Sequence, residues 1–175
     1  MSGSNQFNLV LTIIGDDRPG LVERLADVIS RHQGNWLESS MSHLAGQFAG
    51  ILRVDVPAGS VDSLQQALAG IGELKIVVES SLALPAPGGR KLTLSLVGHD
   101  RVGIVREVSQ VLVRHGVNVE ALETRTASAP MSAATLFHAD AELLAPAGLD
   151  ARALKADLEQ LSNDLMVDLS LGEIV

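Results

Sequence analysis

Two loops gather glycines and charged side chains at the head of a helical pattern. They read Gly15-Asp16-Asp17-Arg18-Pro19-Gly20 and Gly98-His99-Asp100-Arg101-Val102-Gly103. Apolar residues of helical period follow each: Leu21, Val22, Leu25, Val28 and Ile29, then Ile104, Val105, Val108, Val111 and Leu112. A helix start presents unpaired N–H groups and the positive end of the dipole, which suits a carboxylate at Gly20-Leu21 or Gly103-Ile104. Gly20 and Gly103 lack a Cβ and let a ligand or another backbone approach. Arg18 and Arg101 can meet a ligand carboxylate or simply lie solvated at the surface. Asp17 and Asp100 precede helices, where aspartate also serves as a cap. Asn35 and Asn118 follow helix ends, where asparagine readily takes a positive φ.

Other chemistry finds little support. Cysteine is absent, which removes disulfides, thiolate metal sites and cysteine nucleophiles. His32 and His115 each fall in the last turn of a helix, where a cation offsets the dipole. No ligand spacing surrounds them or His43, His99 and His138, so neither metal nor cofactor is expected. Ser39, Ser40 and Ser42 near His43 form no nucleophile elbow. Trp36 reads as a core or interface residue. Net charge is -8 with 13 thinly spread Lys and Arg, and aromatics are 2%, which argues against direct nucleic-acid binding. The polar start Met1-Ser2-Gly3-Ser4-Asn5-Gln6 and the lack of a long apolar run point to a cytoplasmic protein without a membrane span.

Both loops are held by the same series of elements. The segments align without a gap at an offset of 83 residues, as from Gly15 to Gly98, and Arg31-His32 and Asn35 meet Arg114-His115 and Asn118. Strands of alternating pattern lead in, Leu9–Ile14 and Leu92–Val97. Two more follow each helix: Trp36–His43 and Phe48–Val56 around a turn at Ala45-Gly46-Gln47, then Val119–Thr126 and Ala134–Glu142 around a longer turn. Second helices are marked by Val61, Leu64, Leu68 and Ile71, and by Leu154, Leu158 and Leu161; last strands are expected over Leu74–Ala83 and Leu165–Leu171. The order β-α-β-β-α-β, twice, predicts an α+β chain of two tandem ferredoxin-like domains. Each is an antiparallel sheet with both helices on one face. Expected boundaries are 1–84, a Pro/Gly linker over 85–90, and 91–175. Val10 and Ile14 would lie on the bare sheet face, which predicts that a sister copy or another chain covers it, and hence a homodimer.

The loop Gly15–Gly20, the helix after it and Gly34-Asn35 resemble the ACT-domain family, small ferredoxin-like modules that bind amino acids and regulate metabolic enzymes or transcription. The tandem arrangement resembles the glycine cleavage system transcriptional repressor group. Gly98–Val108, Val117–Thr126 and Ala129-Pro130-Met131-Ser132 carry that likeness. The resemblance implies a small amino-acid ligand, glycine or serine first, beside the strand-to-helix loop. A ligand ammonium would meet Asp17 or Asp100 and the side-chain carbonyl of Asn35 or Asn118. Gly15 and Gly98 stand where some serine-binding members carry a side chain. Val102 replaces the usual proline, so the first copy, with Pro19, is the preferred site. The expected partner is a DNA-binding activator or an enzyme, and no catalytic role is expected. The competing reading is a ligand-free interaction or dimerisation module that regulates a metabolic enzyme.

Overall fold

Leu9, Leu11 and Ile13 alternate with Val10, Thr12 and Ile14, and only the first set is fully buried. That alternation is the period of a strand with one face on a core. The computed structural model describes residues 6–81, 88–130 and 134–174. The chain divides into two compact units, Met1–Pro85 and Ala86–Val175.

Unit one runs β1 (Gln6–Asp16), α1 (Leu21–Arg31), β2 (Asn35–Leu44), β3 (Gln47–Pro57), a 3-10 turn (Ala58–Ser60), α2 (Val61–Ala69) and β4 (Leu74–Ser80). Its antiparallel sheet has the order β2-β3-β1-β4. Leu21, Leu25 and Ile29 of α1, with Leu64 and Leu68 of α2, bury their stripes against Leu9, Leu11, Ile13, Leu52 and Val54.

Unit two repeats the order with β5 (Arg90–His99), α3 (Ile104–Arg114), β6 (Asn118–Ser128), β7 (Thr135–Ala145), α4 (Ala151–Glu159) and β8 (Met166–Ile174). The sheet order is β6-β7-β5-β8. Both units are therefore antiparallel four-stranded sheets with helices packed on one face, the ferredoxin-like arrangement. The linker expectation falls partly on 85–87 and the longer turn partly on 131–132, which lie outside the described residues, as do 82 and 83 of the expected last strand. Arg90, expected in the linker, already pairs with Ala145 as the first residue of β5.

The two bare sheet faces differ. Unit one exposes an apolar row across three strands: Ile51 and Val77 flank Thr12 in register and are 53% and 56% exposed, with Ile14 beside them. In unit two the same face carries Thr93, Ser95, His138, Asp140 and Glu142, where Ser95 and Arg125 both bond Asp140.

Helix ends correct two expectations. Asp17 and Asp100 are not caps: the N-cap residues are Gly20 and Gly103, left-handed at φ 89° and 91°, with no side-chain cap bond. Asp150 does cap α4, accepting from the N–H groups of Arg152 and Ala153 at 2.9 and 3.1 Å. Asp150→Ala is therefore expected to cost about 1 kcal/mol, whereas Asp17→Ala and Asp100→Ala should leave stability nearly unchanged. Urea unfolding of the three variants checks this; equal losses would contradict it.

The second correction concerns the turn after each first helix. Gly34 N–H bonds Ile29 O at 2.9 Å and Gln33 N–H bonds Ser30 O at 3.0 Å, a Schellman ending. Val117 and Gly116 repeat it on Leu112 and Val113. The residues at positive φ are thus Gln33 (58°) and Gly116 (68°), not Asn35 and Asn118. Unit one uses a glutamine where unit two uses glycine. Gln33→Gly should raise stability by about 0.5–1 kcal/mol, readable as a higher denaturation midpoint; a fall would show that Gln33 makes a contact worth more than its strain.

Candidate functional site

β1 delivers the loop of unit one at the end where the β2–β3 hairpin turns. Asp17 N–H donates to Gly46 O at 2.9 Å and ties the loop to that hairpin. Gly20 then turns the chain into α1 through its positive φ. A Cβ there would meet nothing within 4 Å, so backbone conformation and not crowding is what calls for glycine. The first helical bond runs from Arg24 N–H to Gly20 O at 3.0 Å, so the amides of Leu21, Val22 and Glu23 precede the helical ladder.

A groove lies over this helix start. Asp17, Arg18, Gly20, Leu21, Val22, Glu23, Ala26 and Phe48 line it. Four residues singled out by the loop pattern, Asp17, Arg18, Gly20 and Leu21, are thus brought together. Phe48 and Glu23 belong to the same groove and were missed; Phe48 sits opposite Gly15 in the β1–β3 register, a relation that only pairing reveals. His43, on the helix side of β2, places Nε2 3.6 Å from Asp17 Oδ2. Arg18 is held only loosely, 3.9 Å from Asp16 with its side chain 61% exposed, because Asp16 already accepts from Gln47 Nε2 at 2.8 Å.

The equivalent loop of unit two is closed on itself. Asp100 N–H bonds Thr135 O at 2.9 Å, the counterpart of the Asp17 tie. Arg101, however, forks onto Glu107: Nη1 to Oε1 at 2.8 Å and Nη2 to Oε2 at 2.5 Å. The hydrogen bond from Arg101 holds the Glu107 carboxyl below the usual carboxylate range, against a smaller opposing effect of burial. The same bond raises the Arg101 pKa. Ile104 N–H turns back to Arg101 O at 3.4 Å. Val102 is fully exposed where unit one has Pro19. Glu107 stands at the position of Arg24, so the sign of the charge beside the loop arginine reverses between the copies. Arg24 instead pairs with Glu73. That reversal is readable at the 83-residue offset and is the signal the loop pattern alone did not use.

Asn35 and Asn118 do not join these loops within their own units. Asn35 pairs with Asp55, in the same row as Asn8, and Asn118 pairs with Leu144 opposite Lys91. Asn8 to Gly15 is seven residues of strand, about 23 Å at ~3.3 Å each. Gly15 and Gly98 also have a local reason. A Cβ on Gly15 would overlap the Glu73 carbonyl oxygen, and one on Gly98 would sit 2.8 Å from Leu165 Cδ1. They let the turn before the last strand close on the first strand. Gly15 lines a separate, more polar cleft with Asp16, Glu73 and Lys75, and Arg18 borders both.

Beside the second loop, Asp164 accepts from Ser162, from His99 N–H at 2.8 Å and from the His99 ring at 2.7 Å. The Ser162 bond first, then those of His99, holds its carboxyl well below the usual range. His32 Nδ1 lies 2.8 Å from Val28 O and His115 Nε2 2.8 Å from Asp157. Among the described residues no three His, Asp or Glu side chains gather as metal ligands, and no helix is long and apolar enough to cross a membrane.

The profile of the ACT domain matches residues 8–78 and again residues 92–161. The glycine cleavage system transcriptional repressor of Escherichia coli K12 is 25% identical over 174 residues, covering 97% of this chain and 90% of that protein. Among solved structures, an unknown protein from Galdieria sulphuraria superposes with a TM-score of 0.85 at 27% identity, covering 97% of this chain and all of that one (100%). A candidate glycine cleavage system transcriptional repressor superposes with a TM-score of 0.70 at 16% identity, covering 97% and 99% of the two chains. At that identity the second likeness speaks to fold.

Proposed function

Since this chain belongs to the ACT-domain family and carries two such domains in tandem, we propose that it is a non-enzymatic sensor of a small amino acid that acts on transcription through a protein partner. The family and the likeness to a transcriptional repressor support a regulatory role. The ligand reading rests on one observation: the groove at the start of α1, where Asp17, Arg18 and the first helical amides share one surface. A ligand carboxylate meets the amides near Gly20 and Leu21 or the loosely held Arg18, and the ammonium meets Asp17. Glycine and serine are the first candidates, as the likeness to the glycine cleavage system repressor implies.

Unit one is the preferred site, since Arg101 of unit two is committed to Glu107. Asn35 can contribute only from another module, because its own loop is at the far end of the sheet. Calorimetry with glycine, serine and the remaining amino acids tests the reading. Asp17→Ala should lose binding by about tenfold or more with little change in melting temperature. No binding to the wild type at millimolar concentration would overturn it.

The second reading, a ligand-free interaction module, has its own support. The apolar row of Ile51, Val77 and Ile14 on the bare face of unit one suits burial against a second copy, giving a homodimer. Either reading leaves the DNA-binding activator, or the regulated enzyme, as the protein partner. Light scattering at high concentration decides the dimer: a mass near 18.4 kDa argues against it.

A further inference from the structure

Unit two contains an apolar crevice between α3 and the β6–β7 side of its sheet, at a place where unit one carries larger side chains. The reason lies in side-chain size at matched positions. In unit one Leu52 fills the centre of β3, and Met41 reaches from β2 over Gly50, where a Cβ would come within 2.6 Å of its Cγ. Trp36 and Met41 pack against that core. In unit two the register puts Ala141 where Leu52 was, Thr124 where Met41 was, and Val119 where Trp36 was. On the helix, Val108 replaces Leu25. Ala139 for Gly50 returns only a methyl group. Leu122, opposite Ala141, is larger than its counterpart Ser39, yet it stays at the mouth and is 50% exposed. What remains is a cavity of about 30 Å³ walled by Leu94, Leu96, Val108, Leu112 and Phe137.

Its chemistry is specific. The lining is almost wholly hydrocarbon, so a water inside would lack the two or more polar partners that hold one. The enclosed space is small and takes only a slender group. The crevice reaches the surface between β6 and α3, where Leu122, Val119 and Val105 are 50%, 38% and 44% exposed. The occupant is indicated by the sister unit, which fills the same place with the thioether chain of Met41 and the isobutyl group of Leu52.

We propose that this crevice is a binding site for a short, slender aliphatic group, entering past Leu122 between β6 and α3. It is separate from the loop groove and does not depend on the ligand reading given above. The group can come from a free amino acid such as leucine or methionine, or from another small aliphatic molecule.

The test is methyl NMR of the full chain. n-Butanol is titrated as the minimal probe, with L-leucine and L-methionine as separate arms. Saturable shifts confined to the Val108, Leu112 and Leu122 methyl groups are expected with n-butanol. Tighter binding of either amino acid identifies a free amino acid as the source; tighter binding of n-butanol identifies another aliphatic ligand. Thr124→Met and Ala141→Leu restore the side chains of unit one and should weaken n-butanol binding about tenfold or more. Ala141→Leu should also raise the melting temperature. Should Ala141→Leu not fold, Thr124→Met on the exposed edge strand still decides. Absence of saturable shifts in the wild type, or shifts that persist undiminished in Thr124→Met, would overturn the proposal.

Discussion

Gly15→Ala is expected to destabilise unit one by about 3 kcal/mol, the upper part of the range for forced overpacking. The added methyl group would overlap the backbone carbonyl oxygen of Glu73 and approach Leu74 Cδ2 at 2.9 Å. A carbonyl fixed just before β4 cannot yield without shifting the strand that pairs with β1 from Leu74 to Ser80. The matching change Gly98→Ala should cost less, about 1 kcal/mol, because its obstacle is the end of the Leu165 side chain, which can rotate. Gly20→Ala differs again. Its space is open, and the cost, about 1 kcal/mol, comes from a positive φ. Urea unfolding of the three variants reads the order directly. Equal losses at Gly15 and Gly98 would mean that the turn before the last strand is softer than its contacts imply.

Asp164→Asn should lower the melting temperature of unit two at neutral pH, and the difference should vanish in acid. The carboxylate accepts from Ser162 and twice from His99, which favours the charged form in the folded state. Its folded pKa therefore lies below the unfolded value of about 3.9. Stability from this source is present above the unfolded pKa and is lost as pH falls toward the folded one. Wild type and Asp164→Asn should differ near neutrality, and the difference should shrink progressively from about pH 5 down to about pH 1, closing only at the acid end. Calorimetric scans across that range test it. A difference that stays constant into acid would assign the effect to lost shape and not to lost charge.

The order of elements was legible because strand and helix periods differ. Leu92, Leu94 and Leu96 alternate, while Ile104, Val108, Val111 and Leu112 follow a helical stripe, and both sets are buried. The duplication made each assignment count twice. The site was harder to read. Asp17 stands close enough to a helix to pass for its cap, but the Gly20 conformation places the helix start one residue past the glycine. Asn35 looked close to the loop because only α1 separates them in sequence. An 11-residue helix runs about 16 Å back along the sheet and carries the chain to the opposite end. The release of Arg18 and the capture of Arg101 turn on Arg24 and Glu107. These lie on helix surfaces, where single charges leave no periodic trace.

The unlike outer faces of the two sheets bear on how the chain can be handled in pieces. Split at its middle, the protein should yield halves of opposite colloidal temper. A fragment ending before the second domain would carry Ile14, Ile51 and Val77 on an open surface, and should self-associate and come out of solution as its concentration rises. A fragment of the second domain alone, with Glu142, Asp140, His138 and Arg125 on that surface, should stay dispersed. Replacing Ile51 and Val77 with threonine, a residue at home on a pleated surface, offers a route to a well-behaved first half for crystallisation or labelling work.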